Sequence, residues 1–553
     1  MKRLISILLA LAMVFALAAC GAAPEEEENQ VMTDEEIADK TQQAAEVAVD
    51  AGRKSTVDSD ERIDSIKVII NTMPNSLSAF YGLDAPTTFI NSVIYETLLW
   101  RSGVTEYSPR LAKNWYYETD AEDSVIFELY DNITDWNGNK IEASDVVFSY
   151  DGIAASGRAA NFSYYDHAEV VDPLTVRIVL KSKIEDLVSF AAMFSDVWII
   201  SEASYDEATA STNPVGTGPY KIKEFVTDAY IILEANDDYW QKDDIQPWAA
   251  QNAQEIRIDF INDSSQALIA FTSGETVFLD IGARDLDDFL NGQYAGKYTI
   301  TQRLSTDAFG LAPNCHESSL MSDENLRMAV FYALDSQDFI DAAGANTFRA
   351  CTTLVSPAIA DYDESWDTIE SYTTTQDLEL AKEYLEKSSY NGETLTIMTK
   401  QFPLELNTIA QVTEQALKQI GINCEIKQYE HAVMLEQMQD PTTFDLYTSS
   451  GRESFNSITN IDKTLDVGYG SVAGYSTNFV QDPEMQSLID AANNVDTYSA
   501  ETTRAVMEYA LDHAYLYSIM YGCQFGAFAE NVAQIYQTIA GETMYNACEY
   551  YLD

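Results

Sequence analysis

Positive charge is what this sequence is short of. Its 553 residues include 32 Lys and Arg against 89 Asp and Glu, for a formal net charge of −57. A surface this acidic repels nucleic acid and anionic membrane and excludes both as direct partners. Histidine is scarce as well. The four present (His167, His316, His431, His513) are scattered without ligand spacing, which argues against a metal cage built from protein alone. No nucleophile elbow, zinc motif or phosphate loop occurs, so no cofactor or metal is expected and enzymes fit poorly. A glycan hydrolase needs only two facing carboxylates, but among 89 acidic residues such pairs arise by chance. Beyond the first 20 residues no apolar run reaches the roughly 18 residues that crossing a bilayer requires.

What the chain does have begins at its N-terminus. Lys2 and Arg3 precede an apolar run from Leu4 to Phe15, the layout of a secretory leader. Leu17-Ala18-Ala19-Cys20 closes it and resembles a bacterial lipobox, whose cysteine is acylated and becomes the first mature residue. Multiple acyl chains, each buried methylene contributing about 0.8 kcal/mol, would anchor Cys20 to the cell membrane. Residues 21–62 are acidic and poor in large apolar side chains, and read as a flexible leash. At about 5–6 Å times the square root of length, it gives the body a spread of roughly 35 Å.

The remaining body, in a chain with 46% hydrophobic content, is long enough for two or three cored domains. Residues 65–71 read as a strand and 87–99 as a helix. Val125, Phe127 and Leu129 alternate like a half-buried strand. Asn137-Gly138 marks a tight turn, and a helix opens near residue 145 with Ser144 or Asp145 as its cap. Gly216 and Gly218 supply turn geometry before a hairpin, 220–226 and 230–235, with Thr227-Asp228 between. Asp263 and Asp323 cap later helices. The order strand 394–399, helix 407–420, strand 422–426 implies a parallel crossover. A strand at 444–449, a long helix over 490–515 and a closing strand at 519–529 complete the reading.

Several of these stretches share wording with one family. Asn213–Trp240 resembles the "GTGPY…L..N..YW" core of the family 5 solute-binding proteins, the extracytoplasmic receptors of ABC importers for oligopeptides, dipeptides and nickel complexes. Tyr95-Glu96, Pro109 to Trp115, Trp136-Asn137-Gly138, Asp145-Val146-Val147 and Leu326 to Asp335 follow in family order. The resemblance implies an α/β, two-lobed periplasmic-binding-protein fold (type II, cluster C) with an inserted domain and mixed sheets flanked by helices. Domain I would comprise 63–103, 201–305 and 516–553, domain II 104–200, and domain III 306–515. It further implies a monomer that closes over its solute and hands it to an ABC permease. A sensor or adhesin that keeps the fold without transport is the alternative, and an extracellular hydrolase a more distant one.

Peptide-binding relatives pair the peptide's α-amine with an aspartate shortly after the strand at 444–449. Here that position falls at Ser454, with Glu453 and Arg452 beside it. If the solute is a peptide, Glu453 would take the amine, and Arg452 could bind a carboxylate. Five cysteines follow Cys20. Cys315–Cys351 is the first pair to test for a disulfide, with small buried hydrophobes as the competing reading.

Overall fold

A computed structural model describes residues 53–56, 61–81, 85–156, 162–241, 246–344, 346–401, 403–450, 456–465, 478–537 and 543–552. The first lobe is built on a four-stranded sheet. β1 (Ile63–Ile70) lies at one edge, followed by β4 (Ala253–Phe260), β3 (Tyr230–Ala235) and β2 (Tyr220–Val226). β1 and β4 are parallel, and β2 and β3 form the expected hairpin, with Asp228 in the left-handed region at its turn. Ile66 and Val68 of β1, Ile231 and Leu233 of β3, and Ile256 and Ile258 of β4 meet in one core.

The inserted domain, a second four-stranded sheet, joins the same core. Its strands, in the order 112–117, 124–129, 175–180 and 165–172, are antiparallel neighbours. The strand Ser124–Leu129 is more deeply buried than its alternation suggests. Ile126 is only 4% exposed beside fully buried Val125 and Phe127, because the strand is covered on both faces. The helix that follows (Ala143–Ala155) starts earlier than expected. Its N-cap is Glu142, and Asp145 sits three residues in, accepting from the Glu142 amide to complete a capping box.

Two long strands leave the first lobe and run into the second. β6 (Thr299–Pro313) and β10 (Tyr517–Phe528) pair antiparallel along most of their length. They are the centre of a seven-stranded sheet ordered β5 (Phe278–Ile281), β10, β6, β9 (Leu446–Ser450), β7 (Thr394–Lys400), β8 (Asn423–Tyr429), with Phe348–Ala350 also on β10. β7 and β8 are parallel, as the strand–helix–strand order requires, and α1 (Leu404–Gln419) connects them. β10 feeds three cores: Phe528 packs in the first lobe, Phe525 and Ala527 in a small core under β5, and Ile519 and Met520 in the second lobe.

Four other expectations need correction. The helix placed at 87–99 stops at Ile94, because the amide of Gly218 takes the Ile94 carbonyl (3.1 Å) that a further turn would use. Gly216 and Gly218 do not adopt left-handed angles. They are small because the chain presses on that helix end: a Cβ on Gly216 would lie 1.8 Å from the Ile94 oxygen. The helix placed at 490–515 is two, α3 (Pro483–Asn493) and α4 (Ala500–Asp512), with Ser499 capping the second. Cys315 and Cys351 are free thiols, and Cys351 is fully buried, as a small hydrophobe is.

Candidate functional site

Arg452, Glu453 and Ser454 lie outside the described residues, as does Cys20. Their immediate flanks are described. β9 runs antiparallel to β6 and ends at Ser450 opposite Phe309, on the side of the pairing that leads along β6 to Arg303. α2 (Ser457–Leu465) begins a few residues later, and its entry is fixed by Asp361. That carboxylate accepts from the Ser457 amide (2.9 Å), the Ser457 hydroxyl (2.7 Å) and the Tyr498 hydroxyl (2.8 Å).

Further along β6 the sheet opens into a hollow of about 310 Å³, facing the end of β1. Its floor follows from pairing register. Asp280 of β5, Gly526 of β10 and Thr301 of β6 lie in one row, and Gln524 and Arg303 occupy the next. Opposed residues on antiparallel strands share a face, so these side chains project together. Gly526 is small because its neighbours close over the middle of the row. A Cβ there would come within 2.8 Å of the Phe278 ring and 3.1 Å of the Thr301 hydroxyl. Ile69, Ile70 and Asn71 form the opposite wall, and Tyr545 closes one end beside Phe278, ring centroids 5.7 Å apart. The mix of apolar walls and a few convergent polar groups suits a small solute.

Electrostatics single out one group in this hollow. Solvent reaches Asp280, yet protein surrounds it on most sides, and that desolvation raises its carboxyl above the usual range. The Arg303 charge opposes the shift through space. No described residue gives Asp280 a hydrogen bond. A second hollow, of about 580 Å³, lies by Cys315, His316 and Arg327 in the other lobe. There the Arg327 guanidinium is spent on the carbonyls of Met321, Ser322 and His513, and His513 on Glu324. Among the described residues no cluster of three or more His, Cys, Asp or Glu is placed to hold a metal ion.

The signature of the bacterial extracellular solute-binding proteins, family 5 (middle region), matches residues 106–461. The chain belongs to this family. Family 5 proteins bind solutes and are not enzymes. Among relatives, the oligopeptide-binding protein AppA of Bacillus subtilis is 22% identical over 474 residues, 80% of this chain and 84% of its own. The nickel-binding periplasmic protein of Escherichia coli is 22% identical over 381 residues, covering 64% and 69%. The solved substrate-binding protein CtaP of Listeria monocytogenes superposes with a TM-score of 0.72 at 20% identity, over 89% of this chain and all of that one. AppA of Bacillus subtilis, solved with a nonapeptide, gives 0.66 at 18% identity over the same shares. These likenesses establish the two-lobed fold with its mixed α/β sheets.

The hollow was missed in the sequence, although β10 carries a trace of it. Gly522, Gln524 and Gly526 alternate on one face, so that face is nearly bare of side chains except for one polar group. Glycine at alternate positions of an otherwise aromatic strand marks close approach or an opening rather than packing.

Proposed function

We propose that this family 5 protein is the extracytoplasmic receptor of an ABC importer, capturing a peptide or related small solute between its lobes. The observation that carries this reading is the hollow beside the crossing strands, with a carboxylate and a guanidinium on one floor. Charges of both signs suit a solute that itself carries both, as a peptide does. The absence of a ligand-type cluster among the described residues favours such a solute over a bare metal ion.

In this reading domain I comprises 63–103, 201–305 and 516–553, domain II 104–200 and domain III 306–515. The boundaries at 305 and 516 then fall on β6 and at the start of β10. Closure bends these strands, and the register shift between Leu304 and Ala308 is where we place the flexure. Arg452, Glu453 and Ser454 supply contacts from the second lobe. Cys20 carries the lipid anchor, and the protein delivers its solute as a monomer to a permease.

Native mass spectrometry of protein purified without denaturation tests the class of solute. The expected result is a bound mass in the range of short peptides, displaced by added peptide. A protein that retains nothing, and shows no heat with a free-peptide panel in calorimetry, would sink the peptide reading.

A further inference from the structure

Two strands carry the chain from the first lobe to the second, and a further contact joins the lobes through the inserted domain. The loop between α3 and α4 meets the segment just ahead of the helix Leu187–Phe194. Asp186 and Asn494 form an antiparallel bridge, and the Val495 amide donates to the Glu185 carbonyl at 2.8 Å. Lys183 Nζ lies 2.7 Å from the Asp496 carboxylate. Leu187, 1% exposed, packs into the core of the second lobe, whereas Met193 and Phe194 at the far end of its helix belong to the core of the first.

Each side of this seam also has bonds within its own lobe. Lys183 pairs with Glu122 (2.8 Å), and the Asp186 carboxylate caps its helix through the Ser189 amide (2.7 Å). Across the seam, the Asn494 side chain accepts from the Asp496 amide (2.9 Å) and its carbonyl from the Tyr498 amide (2.8 Å). The Tyr498 hydroxyl donates to Asp361, the carboxylate that fixes the start of α2 (2.8 Å). Surfaces braced in this way can part and meet again while each keeps its shape.

We infer that the seam is a latch: it is made when the lobes close, parts when they open, and adds to solute affinity without touching the solute. The inference rests on the closure proposed above. The crossing strands are the continuous links, so rotation at the flexure between Leu304 and Ala308 draws apart contacts that lie elsewhere between the lobes. The seam is narrow enough for this, with one amide–carbonyl bond, one ion pair and one leucine. A solvent-facing ion pair contributes little by itself. The backbone bridge and Leu187 therefore carry most of the hold, and the Lys183–Asp496 pair adds to it. A solute that binds the closed form gains apparent affinity as that form becomes more populated. None of the described lining of the hollow comes from the inserted domain, so the latch gives that domain its part in binding.

A cross-link over the bridge tests this. Asp186 and Asn494 are a non-hydrogen-bonded antiparallel pair, for which Cα atoms lie about 4.5 Å apart, within disulfide reach. The full chain carrying Asp186→Cys and Asn494→Cys is compared oxidised and reduced, with wild type under the same oxidant as control for the protein's own thiols. Small-angle X-ray scattering of the dialysed protein should give a smaller radius of gyration for the oxidised pair than for the reduced one. Calorimetry with a tripeptide panel should show uptake lost on oxidation and regained with reductant. Lys183→Glu, which faces Asp496 and Glu122 with like charge, should have a larger radius than wild type and bind tripeptides about three- to tenfold more weakly. Adding Asp496→Lys to that chain should restore part of both. Equal radii in the two redox states mean a permanent seam and overturn the latch, as does a pair that no oxidant joins. Should the cysteine pair fail to fold, equal radii for wild type, Lys183→Glu and the swapped pair overturn it instead. If tripeptides bind none of these proteins, the peptide reading falls and the scattering contrast still decides the latch.

Discussion

Glu96 and Asp280 are both carboxylates of the first lobe, one at its heart and the other open to solvent in the hollow. Glu96 is fully buried and meets the Tyr239 hydroxyl, the Trp240 indole and, at 3.9 Å, the Arg110 guanidinium. Burial raises its carboxyl, against which the Arg110 charge and these hydrogen bonds work. Arg110 in turn donates to the carbonyls of Ser92 and Tyr95, while the Trp136 indole donates to the Gly218 carbonyl at 3.1 Å. The residues that carry the family wording (Glu96, Arg110, Trp136, Gly216, Gly218 and Trp240) thus tie helix, hairpin and inserted domain together. Glu96→Ala should cost about 3–5 kcal/mol, because it strands a buried guanidinium and two donors. Urea unfolding reads this as a lower midpoint at unchanged slope, and an unshifted midpoint would dismiss the network as a source of stability.

At the scale of elements, the hairpin, the capped helices and the β7–α1–β8 unit were legible because their signals are local. Alternation, a capping Asp and a stopping glycine (Gly421 at φ +88°) each act within a few residues. The break between α3 and α4 was not, because a distant contact makes it: the Val495 amide bonds the Glu185 carbonyl of the inserted domain and draws the chain out of helix. Asp482 shows how much one cap can hold. It caps α3 through the amides of Glu484 and Met485, and accepts the hydroxyls of Tyr509 on α4 and of Tyr515 beyond it. Burial acts to raise this carboxyl, but the hydrogen bonds outweigh it and hold the group below its ordinary range. A depressed acid contributes stability that is present above its unfolded value of about 3.9 and lost as pH falls through the folded one. Asp482→Asn should therefore be less stable than wild type by about 1–3 kcal/mol at neutral pH. The gap should narrow in acid, and urea midpoints measured at both ends check it. A gap that stays constant or widens in acid would show that the ionised form is not the stabilising one.

For the molecule as a whole, fold class and family were readable along the folded body, whereas the hollow was not. The hollow is assembled from β1, β5, β6, β10 and the segment around Tyr545, and no local pattern announces that Asp280 and Gly526 will be neighbours. The proposed lipid attachment rests, at the other extreme, on four consecutive residues, Leu17 to Cys20. If Cys20 carries the lipid, Cys20→Ala should shift the protein from the membrane fraction to the medium or periplasm, as immunoblotting of fractions would show. Full retention at the membrane would discard the lipobox. The two described ends of the body meet: the Leu552 amide bonds the Lys54 carbonyl at 2.9 Å, and Ser55 bridges Tyr551. Ends this close can be joined by a short linker and the chain reopened at an exposed turn such as Pro173-Leu174, giving a circular permutant. A tether fused to the new N-terminus would then rise from the inserted domain, so that the direction in which a fixed molecule presents its hollow becomes a variable an experimenter can set.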